Sequence, residues 1–260
     1  MNEFEQRRAE HLQRVRLVAG SLPPDAVVSH ESAAIVHGFP LYTLPAAVKV
    51  TRPRGRTART SDVHVHVAQL RGHDVAVVGD LPVTSGARTA VDIARRVPFR
   101  EGLVVMDGAI RRRTTRSALW EAVRHQWVWP GVRHAAIAVR HANGNAETAL
   151  ESVVRSRFIE LGLPMPDLQV DVRDAGGRFI GRVDFDLPAY NTVGEADGRV
   201  KYLEDELWLE KLRQEALEDT GREVIRWTWH SAHAPDDEFA ARVWRKLRRG
   251  LYLRGMDQAG

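Results

Sequence analysis

The chain has 260 residues, 43% apolar and 28% charged, which fits a globular protein of one large or two ordinary domains and excludes a disordered or fibrous one. With no cysteine it has no disulfide framework, no cysteine-based zinc site and no thiol nucleophile. Formal net charge is +4, with basic residues that are mostly arginine, and this permits nucleic-acid binding without requiring it.

The opening "MNEFEQRRAEHLQRVRLVAG" is charged throughout and lacks the apolar centre of a signal peptide. No window approaches the roughly 18 apolar residues of a spanning helix. A soluble, cytoplasmic chain with no membrane partner is expected. Phe4, Leu12, Val15 and Val18 keep helical spacing over residues 1 to 19, and "GSLPPD" ends that helix. Ser29 is an N-cap candidate for a short helix "HESAAIVH" whose C-terminus is marked by Gly38 and Pro40. Strand-like runs "AAVKVTRP", "DVHVHVAQ" and "HDVAVVGDLPVTS" follow, with Val63, Val65 and Val67 alternating with His64 and His66. Helical spacing returns in "SGARTAVDIARRV", "FREGLVVMDGAIRRR" and "TRSALWEAVRHQ", so a helical cluster behind a small sheet is expected. Pro130 and the turn-prone "NGN" place a boundary near residue 144.

Beyond it the pattern predicts helix 147–161, strands 168–173, 178–187 and 191–197, helix 203–219, strand 223–229 and helix 236–253. "DAGG" and "LPAYN" are tight connections, so the first three strands pair antiparallel, and the following helix is long enough to cross over to the last strand. The class is α/β (α+β): a mixed sheet flanked by helices in residues 145–260, preceded by an α+β region in residues 1–144.

The most informative stretch is "RVDFDLPAYNTVGEADGRVKY", with Asp184, Asp186, Glu195 and Asp197 within fourteen positions. A hairpin centred near Ala189 and Tyr190 sets Asp184 opposite Glu195 and Arg182 opposite Asp197 on one face. Val183, Phe185, Leu187 and Ala196 then occupy the other face. Glu195 and Asp197 stand roughly 6.5 to 7 Å apart. Like charges so opposed repel, whereas Mg²⁺ takes carboxylate oxygens readily, as metal-assisted phosphodiester hydrolysis requires. The alternative is a solvated face neutralised by Arg182, Arg199 and Lys201, and spacing alone favours it. Glu147, Glu151 and Arg155 recur at four-residue spacing on the preceding helix, as a surface salt-bridge ladder would. Arg226 points opposite Ile225 and Trp227 on its strand, and Trp208, Trp227 and Trp229 are expected in the core.

Together with "GLPMPDLQV" before it and "GREVIRWTW" after it, this stretch resembles the endonuclease-like domain related to very-short-patch-repair enzymes, within the PD-(D/E)XK nuclease superfamily. The resemblance covers roughly residues 145 to 250. It implies a restriction-endonuclease-like fold and DNA cleavage with Mg²⁺ or Mn²⁺ in a repair or phage-defence setting. It makes Asp184 the first metal carboxylate, Glu195 the second and Glu151 the helix acid. Asp197 stands where the superfamily usually has lysine, an auxiliary acid by that reading, and Lys201 supplies a nearby cation. Arg182, Arg199, Arg213 and Arg226 are the implied DNA contacts.

The N-terminal half, from "VVSHESAAIVHGFPL" through "DLPVTSGARTAVDIAR" to "VVMDGAIRRR", is similar to actinobacterial AbiEi-type antitoxins. Those commonly carry a winged helix-turn-helix ahead of this region, and the roughly 27 residues before "VSHESAA" are too few for one. This second resemblance implies the alternative function, a noncatalytic antitoxin or regulator with a cognate toxin as partner. Among other residues, His64 and His66 share a strand face without a third metal ligand nearby. His30, Glu31 and His37 sit at the ends of a short helix, and "RRRTTR" at 111–116 is a basic helix end that is a candidate phosphate contact. No phosphate-binding glycine loop, dinucleotide fingerprint or serine nucleophile elbow is present.

Overall fold

The computed structural model describes residues 3–174, 176–197, 215–217 and 219–257. The fold is mixed α+β and divides into two compact units, Met1–Ala149 and Leu150–Gly260. The division falls five residues beyond the expected 144, where the chain enters a helix whose residues from Leu150 to Phe158 are buried.

In the first unit α1 (Glu3–Ala19) precedes a short strand β1 (Val27–Val28) and α2 (His30–His37). Gly38 ends α2 at φ +74°, the left-handed conformation glycine adopts without a Cβ clash. Then come β2 (Val48–Arg52), β3 (Ala58–Arg59), β4 (Val63–Val67), β5 (Val75–Val78) and β6 (Leu81–Thr84). Valine-rich β4 and β5 are half-buried, β2 and β6 are mostly buried and β3 is exposed, and the six strands form one sheet in the order β3-β4-β2-β1-β6-β5. "HDVAVVGDLPVTS" is two strands, because Gly79 at φ +64° turns the chain into an antiparallel hairpin. Four helices follow: α3 (Gly86–Ala94), α4 (Phe99–Arg111), α5 (Arg116–His125) and α6 (Val132–His141). Ser85 and Thr115 cap α3 and α5 by accepting the backbone N–H of Arg88 and Ala118. The helices share one apolar cluster containing Ile35, Phe39, Met106 and Leu119, while Val15, Val28, Val50 and Val83 form another.

The second unit begins with α7 (Ala149–Glu160), followed by β7 (Asp167–Arg173), β8 (Phe179–Leu187), β9 (Thr192–Ala196), β10 (Glu223–Trp227), a short α8 (Trp229–Ala232) and α9 (Asp236–Asp257). Its sheet runs β10-β9-β8-β7, with β7, β8 and β9 antiparallel and β10 parallel to β9. Parallel pairing requires a crossover, and most of the expected helix 203–219 lies outside the described residues. Val183, Phe185, Ile225 and Trp227 are fully buried. Phe158 meets Trp227 and Phe239 edge to face, and Phe185 meets Trp227 likewise, which locks α7, β8, β10 and α9 together. Trp229 corrects an expectation: it is 41% exposed and stacks on His233, because it opens α8 instead of ending β10.

Candidate active site

Residues of four neighbouring strands meet in one row on the sheet of the second unit. Phe185 pairs with Gly194, and the same register carried one step further sets Asp184 beside Glu195, as the sequence implied. The parallel pairing of β10 sets Arg226 beside Glu195. On the other side, Leu168 pairs with Phe185 and Val170 with Val183, leaving Gln169 next to Asp184. The row reads Gln169, Asp184, Glu195, Arg226. Its members alternate with the buried residues Phe185, Ile225 and Trp227, so the pleat presents polar groups on one face and core on the other.

The contacts within the row are specific. The Gln169 amide donates to Glu151 Oε2 of α7 at 2.9 Å and to Asp184 Oδ1 at 3.0 Å. The other oxygen of Asp184 accepts the Ala196 backbone N–H at 2.8 Å. Arg226 Nη2 lies 3.3 Å from Glu195 Oε2. Glu151 is 1% exposed and Arg155 4%, so this face of α7 is buried and is not the surface ladder that four-residue spacing suggests. An ionised carboxylate at that depth needs charge-assisted hydrogen bonds, and Gln169 supplies one.

Gln169 has φ +56° in the middle of a strand. The left-handed region costs a non-glycine residue on the order of 1–2 kcal/mol, and such strain gathers where a side chain must be aimed. Sequence reasoning missed Gln169, since no residue pattern marks a left-handed glutamine inside a strand.

The remaining predicted residues fall as follows. Asp197 is exposed beyond the end of β9, where its N–H donates to the Trp227 carbonyl at 2.7 Å. Arg182 is exposed and bound to Asp171 across β7 at 3.1 Å. Asp186 pairs with Arg222 and stands apart from the Glu151–Gln169–Asp184 contact. Arg199, Lys201, Arg213 and Trp208 lie outside the described residues. Glu147 pairs with Arg111.

Among the described residues, one group of three potential metal ligands has its donor atoms all within 4.8 Å of one another: His73, Glu121 and His125, in the first unit. Glu151, Asp184 and Glu195 do not gather that closely, because the Gln169 amide stands between the first two and Arg226 holds the third. Glu121 and His125 are four apart on α5, a readable spacing, but His73 comes from a turn 48 positions earlier and gave no sign.

No family model matches the chain, and no solved structure does. Two proteins from strains of Mycobacterium tuberculosis, uncharacterized proteins Rv2248 (H37Rv) and MT2308 (CDC 1551 / Oshkosh), are each 30% identical to it over 231 residues, covering 86% of this chain and 82% of theirs. The chain belongs to the family of these two proteins. The likeness covers enough of the chain to reach into both units.

Proposed function

We propose that the second unit is a divalent-metal-dependent endonuclease that hydrolyses phosphodiester bonds in DNA, of the very-short-patch-repair-like kind its sequence resembles, acting in the cytoplasm in repair or phage defence. The observation that carries this reading is the Gln169 amide stretched between the carboxylates of Glu151 and Asp184. Two acids from a helix and a strand converge on one donor, which occupies the place a cation would take. The donor set is hard oxygen and suits Mg²⁺ or Mn²⁺; an amide turned about its last torsion presents a third oxygen. A bound ion would polarise the phosphate and lower the pKa of a water molecule.

The chain's own residues have separable tasks in this reading. Glu151 and Asp184 hold the ion, with Asp184 oriented by the Ala196 N–H. Arg226 fixes Glu195 beside them and sets a positive charge at the edge of the site. By the resemblance, Asp197 serves as an auxiliary acid, Lys201 stabilises phosphate charge, and Arg182, Arg199 and Arg213 contact the DNA backbone. The competing reading, a binding-only antitoxin or regulator partnered by a cognate toxin, draws on Asp197 in the lysine position and on Arg226 neutralising Glu195.

Incubation with single-stranded, nicked, mismatched and duplex DNA in Mg²⁺ or Mn²⁺ separates the two. The nuclease reading expects cleavage of at least one substrate, abolished by chelation and lowered at least about a hundredfold by Asp184→Asn, as for loss of one electrostatic stabiliser. Absence of metal-dependent cleavage on all four substrates contradicts it.

A further inference from the structure

The first unit contains a cavity of about 720 Å³ whose lining includes four arginines, Arg59, Arg88, Arg95 and Arg96, against one carboxylate, Asp92. That carboxylate is already bound by Arg88 at 2.7 Å and Arg95 at 3.4 Å. Arg88 also holds the buried Asp74 at 3.1 Å, and the guanidinium groups of Arg88 and Arg95 lie over the Trp129 ring at 4.8 and 5.1 Å. These contacts fix the cationic floor in place. Arg96 is exposed, reaching His66 Nδ1 at 3.4 Å, and Arg59 is exposed at the rim.

Two stacked imidazoles face this floor. His30, 2% exposed, lies 4.1 Å from His66, centroid to centroid. Ser29 Oγ meets His30 Nδ1 at 2.9 Å, but the buried Nε2 atoms of both His30 and His66 have no hydrogen-bond partner. Since His66 Nδ1 accepts from Arg96, its proton sits on Nε2, which is an unused donor. His30 has φ +51°, so the backbone is strained to keep its ring here. Burial first, then the neighbouring histidine and arginines, push the pKa of His30 well down, and burial with Arg96 brings His66 to about 4. A neutral, unpaired donor buried beside arginines is costly for stability alone and is suited to receiving an oxyanion.

We propose that this cavity is a binding site for a phosphate ester of mononucleotide size, held by Arg96, Arg59 and the His66 Nε2–H over the floor of Arg88, Arg95 and Trp129. The volume lies in the range of small-molecule sites. The shared chemistry is the phosphate group, either of a free nucleotide or at an end of a nucleic-acid strand. The site is independent of the row in the second unit.

The test is calorimetric titration of full-length Asp184→Asn protein, which is expected not to cut DNA, with inorganic phosphate, adenosine monophosphate and a short single-stranded oligonucleotide. Saturable binding of at least one probe is expected, weakened at least tenfold by Arg96→Ala and by His66→Ala, and unchanged by Arg178→Ala, which removes an exposed arginine paired with Asp174 in the second unit. Binding of the mononucleotide identifies a free ligand, and binding of the oligonucleotide alone identifies a strand. For a variant that does not fold, the nitrogen resonances of His30 and His66 in otherwise unaltered protein must shift on addition of the probe. No saturable binding, equal affinity in both variants, or histidine resonances that stay in place overturns the proposal.

Discussion

Gln169 shows how much a single side chain carries here. Its amide is a hydrogen-bond donor to Glu151 and to Asp184, and hydrogen bonds to charged groups contribute about 1.5–3 kcal/mol. Replacing it by alanine is expected to destabilise the metal-free protein by about 2 kcal/mol in chemical denaturation, with the loss shrinking when Mn²⁺ is added, since a ligand that binds only the folded state restores stability. Gln169→Ala that is equally destabilised with and without Mn²⁺ contradicts the view that amide and cation compete for one place. His11 supplies a second residue-scale expectation. It is 1% exposed, bonded to Ser32 Oγ at 2.9 Å, and burial with Arg14 nearby lowers its pKa to about 4. The unfolded chain, with an ordinary histidine near 6.5, binds the extra proton first. Stability is therefore complete above about pH 6.5 and falls as pH drops toward 4, by on the order of 2 kcal/mol between 6.5 and 5 for this group. Melting temperature should fall over that range, and His11→Gln should flatten the slope; an unchanged slope counts against the assignment.

At the scale of elements, β9 ties the core to the site. Gly194 is the residue before Glu195, and a Cβ there would stand 2.3 Å from Trp227 Cζ3 and 3.2 Å from Phe185 Cβ. Gly194→Ala is expected to destabilise by about 1–3 kcal/mol, the range for overpacking, and to displace Glu195 from Arg226. A denaturation midpoint equal to that of the unaltered protein rules this out. The hairpin of β8 and β9 was legible beforehand because Val183, Phe185 and Leu187 alternate with charges across "LPAYN", which leaves little freedom of register. Helix α6 was not. Pro130 counts only as a signal for the boundary near residue 144, yet Gly131 at φ +77° packs so close to the Arg95 carbonyl that a Cβ would sit 1.8 Å from it, and the helix starts there. Val132, Ala135, Ala138 and Val139 then fill the core, so tertiary packing overrode the local turn signal. β1 is two residues long, too short for alternation to register.

For the molecule as a whole, the sequence separates the two units and the mixed α+β class, because apolar periodicity changes along the chain and each unit buries its own cluster. Which acids converge depends on distant partners: Glu151 and Asp184 share the Gln169 amide, and the parallel pairing of β10 brings Arg226 to Glu195. Local spacing carries neither. No helix among the described residues is long and apolar enough to cross a membrane. The central claim is that Glu151 and Asp184 exchange the Gln169 amide for a divalent ion. Mn²⁺ titration followed by electron spin resonance tests it directly. One saturable site per chain is expected, lost in Asp184→Asn and in Glu151→Gln and retained in a His73→Ala, His125→Ala double variant. Binding that survives the carboxylate substitutions, or disappears with the two histidines, contradicts it.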